Sequence, residues 1–330
     1  MKNNSQFPIL NLKMKFRTEI EIAPLAEGIE HSAKIFALGS CFAESISERL
    51  ARAKFSVTSN PFGILFNPFS IANALDRLAK TRTFAVCDIR EGREGFFSFD
   101  AHSSLDGKTH TEIFANLNQA VAQGAKALRE ADLVLLTFGT AWVYEHNGKV
   151  VANCHKQPAK EFQRRRLSVE EIVARYEQLF EGVLHDKRVI ITVSPVRHLG
   201  DTLQENSVSK AILRLAAEEL VAKYDNAHYF PSYEILIDDL RDYRYYGDDM
   251  IHPSSMAVEY VWQHFCQYAF TKRTNDLLPA IEQIVAASEH RPFNPDSQAH
   301  KEFCKKMIQR IEQHREVDFT KELQKFESYL

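Results

Sequence analysis

The chain of 330 residues is 45% hydrophobic and 26% charged, the balance of an ordinary globular protein rather than a disordered or fibrous one. A formal net charge of −3 gives no electrostatic ground for binding nucleic acid or an anionic membrane. Five cysteines, an odd number with no CxxC pair, argue against both a disulfide framework and a zinc ribbon.

The first stretch, "MKNNSQFPILNLKMKFRTEI", is broken by Pro8, Asn11 and Lys13 and lacks the apolar core of a signal peptide. No run of about 18 apolar residues follows, so no membrane span is expected and the cytoplasm is the default location. Met14 serves equally well as a start, with residues 1–13 as an extension. The run "KIFAL" (34–38) predicts a buried strand that meets Gly39, Ser40 and Cys41 and then a helical pattern over 42–53. Residues 82–112 alternate apolar and polar and carry Gly92, Gly95 and Gly107, which predicts an inserted β-hairpin. A helix over 114–130 leads to a strand at 131–139. The basic run Arg164–Arg166 reads as a solvated loop before a helix over 168–184.

Strands at 188–195 and 227–232 flank a helical pattern over 206–224. Such alternation implies βαβ units and a parallel sheet with helices on both faces: a three-layer α/β/α, flavodoxin-like architecture. Ligands of such sheets bind beyond the carboxyl ends of the strands. Those ends here are 39–41, 138–140 and 194–196, all rich in small or polar residues. Past residue 273 the sequence turns charged and helical in period, interrupted by "RPFNPDS". The expected organisation is therefore an α/β domain over 1–273, with the β insertion, and a C-terminal helical extension over 274–330.

Two segments carry candidate chemistry. A nucleophile at a helix N-terminus gains from the helix dipole and free backbone N–H groups. A thiol there has its pKa lowered, whereas a serine hydroxyl still needs a base. In "GSC", Cys41 and Ser40 both fit, as does a purely structural reading with Ser40 as an N-cap and Cys41 as packing. In "YYGDDMIHPSS" (245–255), Asp249 and His252 stand three apart before a proline. That spacing lets the carboxylate hold imidazole Nδ1 and turns Nε2 outward as a general base. Asp248 is a competing carboxylate one residue away. Cys154, His155 and His198 lack the spacing of a four-ligand set, so no metal and no cofactor is expected. Arg197 and His198 follow a strand end and are expected to line the pocket, with Arg197 able to grip a carboxylate or sugar substituent. Trp142 and Tyr144 read either as an aromatic wall for a sugar ring or as core.

A small-residue nucleophile turn after the first strand, with a late Asp-x-x-His, resembles the SGNH/GDSL hydrolases. Within that superfamily the sequence is similar to the GSCFA family, whose name is the string at 39–43. The strings "NPFGILFNPFSI" (60–71), "FGTAWVY" (138–144), "SPVRH" (194–198) and "ENSVSKAIL" (205–213) carry the likeness, over about residues 14–270. The resemblance implies an SGNH-hydrolase-like sheet and the hydrolysis or transfer of an acyl ester, such as an O-acyl group on a carbohydrate. Laid without gaps on the superfamily's Gly-Asp-Ser block, Ser40 falls on the aspartate and Cys41 on the nucleophilic serine. Gly63 matches the second-block glycine whose N–H helps hold an oxyanion. The third block keeps Gly139 but has Ala141 in place of the oxyanion asparagine. Losing one such donor typically costs about 2.7–4 kcal/mol, so a replacement is expected. Asn153 is favoured, with Asn60 or Asn67 as alternatives that otherwise contact substrate alongside Arg197, His198, Trp142 and His155. The rival expectation is a catalytically inactive carbohydrate- or ligand-binding protein on the same scaffold. A cysteine peptidase or amidase built on Cys41 and His252 is a third. The expected partner is a small-molecule or carbohydrate ester, with no nucleic acid and no membrane; the substrate and the oligomeric state are not legible.

Overall fold

A computed structural model describes residues 17–330, so the extension before Met14 lies outside the described residues. In chain order the elements begin with β1 (Lys34–Gly39), α1 (Cys41–Arg52), β2 (Ser56–Ser59), α2 (Pro68–Ala79), β3 (Arg90–Gly92), β4 (Gly95–Phe97) and α3 (His110–Glu130). They continue with β5 (Leu133–Phe138), β6 (Trp142–His146), β7 (Lys149–Val151), β8 (Gln163–Arg166), α4 (Val169–Phe180), β9 (Arg188–Val193), α5 (Thr202–Lys223) and β10 (Ala227–Tyr229). The short α6 (Ser232–Glu234) widens into a π-helical segment over Ile235–Leu240. Then follow α7 (Ser255–Ala269), α8 (Lys272–Glu289), α9 (Gln298–Glu312) and α10 (Thr320–Glu327). None of these helices is long and apolar enough to cross a membrane.

Five strands form one parallel sheet in the order β10-β9-β5-β1-β2. Counting only its own members, that is the 2-1-3-4-5 order of flavodoxin-like sheets, with its switch point between β1 and β5. Gly39 pairs with Thr137 there, and Phe138 pairs with Val193 one strand further on. The turns after β1, β5 and β9 therefore open side by side at one edge. The alternation read from the sequence is realised, with one strand more than the apolar runs indicate. β2, "SVTS", is a short, half-exposed edge strand whose composition carries no buried-strand signal.

Because side chains alternate along a strand, the sheet feeds two cores. Phe36 and Leu38 pack with Leu75 of α2, Leu117 of α3, Tyr176 of α4 and Leu213 of α5. Ile35 and Ala37 pack on the other face with Phe42 and Ile46 of α1 and Val261 and Phe265 of α7. A third cluster joins Ile281 and Ile284 of α8, Cys304 of α9 and Phe326 of α10, which gives the C-terminal helices their own apolar centre. They are tied to the sheet domain by Thr274 Oγ1 donating to Ile29 O (3.0 Å) and by Lys54–Glu322 (2.5 Å) and Arg52–Glu289 (2.6 Å) ion pairs.

Within the segment 82–112, only Arg90–Gly92 and Gly95–Phe97 form an antiparallel hairpin, β3–β4, in which Arg90 pairs with Phe97, and α3 already begins at His110. A second small sheet, β7-β6-β8, was not expected, and it corrects the reading of Arg164–Arg166 as a solvated loop. Those residues form β8 and pair with β6, Trp142 opposite Arg166. The charges are compensated in place. Arg165 meets Glu145 (2.7 Å) and Glu171 (2.7 Å), Arg166 meets Glu205 (2.6 Å), and Arg164 pairs with Asp201. The Arg164 guanidinium also lies 3.9 Å from the centre of the Trp142 ring. Cross-strand charge pairs and cation–π stacking can thus stabilise a strand with no apolar alternation.

Candidate active site

The turn after β1 is built around Gly39. Its φ is +149°, and a Cβ there would stand 2.3 Å from Thr137 O, so only glycine lets the chain leave the sheet so close to β5. Ser40 follows in extended geometry, and Cys41 is the first residue of α1. The two neighbours then part company. Ser40 is 1% exposed, its side chain makes no capping bond to α1, and its Oγ is buried without a hydrogen-bond partner among the described residues. Cys41 is partly exposed. Burial pushes its thiol up, and the backbone N–H groups of Phe42 and Cys41 oppose that by facing the sulfur. Glu44 adds to the rise, and the Lys210 ammonium pulls the other way.

Asp249 and His252 sit on a compact loop closed by Met250 N–H to Gly247 O (2.9 Å) and Gly247 N–H to His252 O (2.8 Å). Asp249 Oδ1 accepts the N–H groups of Ile251 (2.9 Å) and His252 (3.0 Å), and Oδ2 accepts His252 Nδ1–H (2.6 Å). The hydrogen bonds from His252 and Ile251 hold the carboxyl down at about 2. The aspartate is therefore ionised wherever an imidazole titrates. Both side chains stay about half exposed, at 46% and 51%, and Nε2 faces away from the carboxylate. Asp248 makes no bond to the imidazole, so of the two candidates Asp249 orients it. The loop docks on the end of β9 through Arg197 N–H to Ile251 O (3.2 Å), which brings the pair to the same sheet edge as Cys41.

Helix α5 supplies a layer that the sequence reading overlooked. Lys210 is 1% exposed, and its Nζ donates to Gly139 O (2.6 Å) and Ser194 O (2.7 Å), clamping the ends of β5 and β9. No carboxylate accompanies it among the described residues; burial lowers its pKa to about 7, and the charge of Cys41 acts in the opposite sense. Ser209 accepts Ala141 N–H (2.8 Å), and Asn206 accepts His198 N–H (2.9 Å). The signal was present in the sequence: Lys210 lies on the apolar stripe with Leu213 and Ala217, where a solvated lysine does not belong.

His198 packs edge-on against Phe66 and carries a buried, partnerless Nε2. Burial, aided by Lys210 and His252, lowers its pKa from 6.5 to about 4, with the Gly139 carbonyl opposing. The imidazole is thus neutral at physiological pH. Its linkage has a definite sign. Below pH 6.5 an unfolded chain binds a proton that the folded one refuses until about 4. Stability should therefore fall as pH drops through that window, by at most about 3 kcal/mol, and His198→Gln should flatten the slope. Urea unfolding midpoints between neutral pH and about pH 4 measure both.

The expected oxyanion donors divide. Gly63 sits in the left-handed region (φ +73°), where a Cβ would stand 2.4 Å from His102 Cβ, but its N–H donates to Asn60 O (2.7 Å) inside a tight turn. That N–H has a partner already, which corrects the role expected of it. Asn153 is also placed otherwise: its Oδ1 accepts His155 N–H (2.8 Å), and its backbone N–H bonds Phe99 O. His155 packs against the 82–112 insertion rather than in a substrate pocket. Its side chain is 3% exposed, stacks on Phe97 and bonds Ser98 O, Ala101 O and Asp106. Asn67 caps α2 by accepting Ser70 N–H (2.8 Å). Of the three asparagines, Asn60 is the one on the turn: its Oδ1 accepts Gly39 N–H (2.9 Å), and its Nδ2 is buried without a partner. Arg197 lies flat over Tyr246 (4.0 Å) and faces Tyr243 (5.0 Å), beside the His252 loop. Trp142 is sandwiched by Arg164 and Arg166 on the small sheet.

No curated protein matches the chain in sequence. Among solved structures, a family 3 carbohydrate esterase of Clostridium thermocellum overlays 76% of this chain and 99% of its own at 12% identity, with a TM-score of 0.33. A likeness that low carries no argument about activity. Residues 281–330 match the model described as the GSCFA domain protein, C-terminal domain. With residues 34–265 matching the GSCFA family model, the chain belongs to the GSCFA family.

Proposed function

We propose that this protein is a thiol-dependent acyl-ester hydrolase or acyltransferase, with Cys41 as nucleophile, His252 as general base and Asp249 as its orienting partner. The observation that carries the reading is the contrast at the turn. Cys41 is partly exposed with its sulfur on helix N–H groups, the hydroxyl of Ser40 is sealed, and an Asp–His pair stands at the same sheet edge. A thiol whose pKa is raised by burial needs a base, and an imidazole locked by Asp249 supplies one.

In this mechanism Cys41 Sγ attacks the acyl carbonyl as its proton passes to His252 Nε2. The tetrahedral oxyanion is held by the N–H groups opening α1, and Asn60 is the amide best placed to stand in for the asparagine that Ala141 lacks. His252 then protonates the leaving alcohol, so that a thioester forms as the ester C–O bond breaks. Water activated by His252 breaks the thioester and restores the thiol; an acceptor alcohol in place of water makes the same step a transfer. An O-acyl carbohydrate is the substrate class that the superfamily resemblance implies.

The absence of an asparagine at Ala141 favours a second reading, a binding protein without turnover. The two separate in one assay. The hydrolase reading expects p-nitrophenyl acetate hydrolysis that is lost after iodoacetamide treatment, together with protection of Cys41 from alkylation by an acetylated sugar. Protection without any hydrolysis would select the binder.

A further inference from the structure

A sizeable cleft lies away from the catalytic edge. It has a volume of about 760 Å³ and runs along one face of α2, from Phe69 to Lys80, with the β6–β7 hairpin as its opposite wall. That size falls within the range of small-molecule sites, roughly 300–1,000 Å³. Neither the 39–41 turn, Lys210 nor the Asp249–His252 loop lines it.

The charge of this cleft runs against that of the chain. Six basic and four acidic side chains line it, in a protein whose net charge is −3. Every lining carboxylate already has a cation. Arg77 holds Asp100 (2.8 Å) and Asp88 (3.6 Å), Arg165 holds Glu145 (2.7 Å), and Arg175 holds Asp76. Lys80, Arg82 and Lys149 have no acidic partner among the described residues and are exposed at the mouth. They come from three separate segments: the end of α2, the loop after it and the hairpin tip. Arg77 beneath them is 4% exposed, and its guanidinium, 3.8 Å from the centre of the Phe84 ring, is fixed further by the carbonyls of Arg82 and Thr83. A buried arginine already paired with Asp100 and Asp88 gives the cleft a fixed floor and leaves the exposed cations above it to meet a ligand. Phe62, Phe69, Val150 and Ala152 give the same cleft an apolar side.

We infer that this cleft binds a phosphorylated small molecule, its phosphoryl group met by Lys80, Arg82 and Lys149 and its less polar body laid along α2. Three cations without an acidic partner among the described residues are enough to meet the charge of a phosphate monoester dianion. Lysine ammonium groups, compact point charges, suit a phosphoryl group that presents oxygens in several directions. The inference is independent of the ester chemistry proposed above, since the two sites share no residue.

The test is a fluorescence titration of the full-length protein with mant-ADP in EDTA. Saturable binding is expected, displaced by pyrophosphate and weakened as salt rises. Lys80→Glu with Arg82→Glu should weaken it at least about tenfold, and Lys149→Glu, on the opposite wall, should weaken it separately. All three side chains are exposed, so circular-dichroism melts of the variants should match wild type and Cys41 alkylation rates should not change. Absence of saturable binding, binding unchanged in both variants, or displacement by citrate but not pyrophosphate would overturn the inference.

Discussion

Cys41→Ala is expected to lower kcat/KM for p-nitrophenyl acetate by about 10³-fold or more, while Ser40→Ala leaves it within about threefold of wild type. The two side chains are adjacent in sequence and opposite in situation. The Ser40 hydroxyl is sealed under the turn with no hydrogen-bond partner, so an incoming carbonyl cannot reach it and its removal breaks no bond. Deleting a buried polar atom that is already unsatisfied is nearly neutral or stabilising, so the Ser40→Ala melting temperature should equal or exceed that of wild type. Cys41→Ser keeps the position and exchanges a thiol for an alcohol, a far weaker nucleophile with the same base beside it. Its activity should fall between those of wild type and the alanine variant. Initial rates and thermal melts on the three variants decide the matter; a dead Ser40→Ala enzyme with a normal melt would refute this account of the turn.

The second large effect belongs to the Asp–His pair. His252→Ala should match the loss in Cys41→Ala, and combining the two should cost little more, because residues that act as one unit are not additive. Asp249→Asn should lower kcat by about 10²–10⁴-fold, since an amide at Oδ2 favours the wrong imidazole tautomer while leaving the loop in place. Asp248→Asn, one residue away and unbonded to the ring, should be almost silent. Because Asp249 is held at about 2 by the groups that hydrogen-bond it, its protonation should leave no step in the activity profile in the weakly acidic range. Rates and profiles measured for these variants test the assignment position by position.

What could be read from the sequence follows the physics of each signal. Buried parallel strands announce themselves as apolar runs, and β1, β5 and β9 are such runs. The Asp-x-x-His spacing is a local geometry, closed within one loop, and local geometry is what a sequence specifies best. The edge strand β2 and the arginine strand β8 escaped because neighbours rather than periodicity hold them: β1 in one case, Glu145, Glu171 and Trp142 in the other. The oxyanion candidates misled for a related reason. Gly63 and Asn153 lie in the right kind of string, but the Gly63 N–H is taken by Asn60 O, and Asn153 is held by His155 at its Oδ1 and by Phe99 at its backbone, and both are facts of the folded chain. Asn60 and Lys210 show the converse: both reach the turn only after the chain has folded, Asn60 onto Gly39 and Lys210 onto Gly139 and Ser194.

The claim on which the proposed chemistry hangs is that a thioester forms on Cys41. Peptide mapping by mass spectrometry after a brief acid quench with p-nitrophenyl acetate, in wild type and in the slowly turning Asp249→Asn variant, reads it directly. The account predicts an acetyl group on the peptide that starts helix α1, located at Cys41, removed by neutral hydroxylamine and absent from Cys41→Ala. An acetyl group at Ser40, or full turnover with Cys41 unmodified and dispensable, would contradict it.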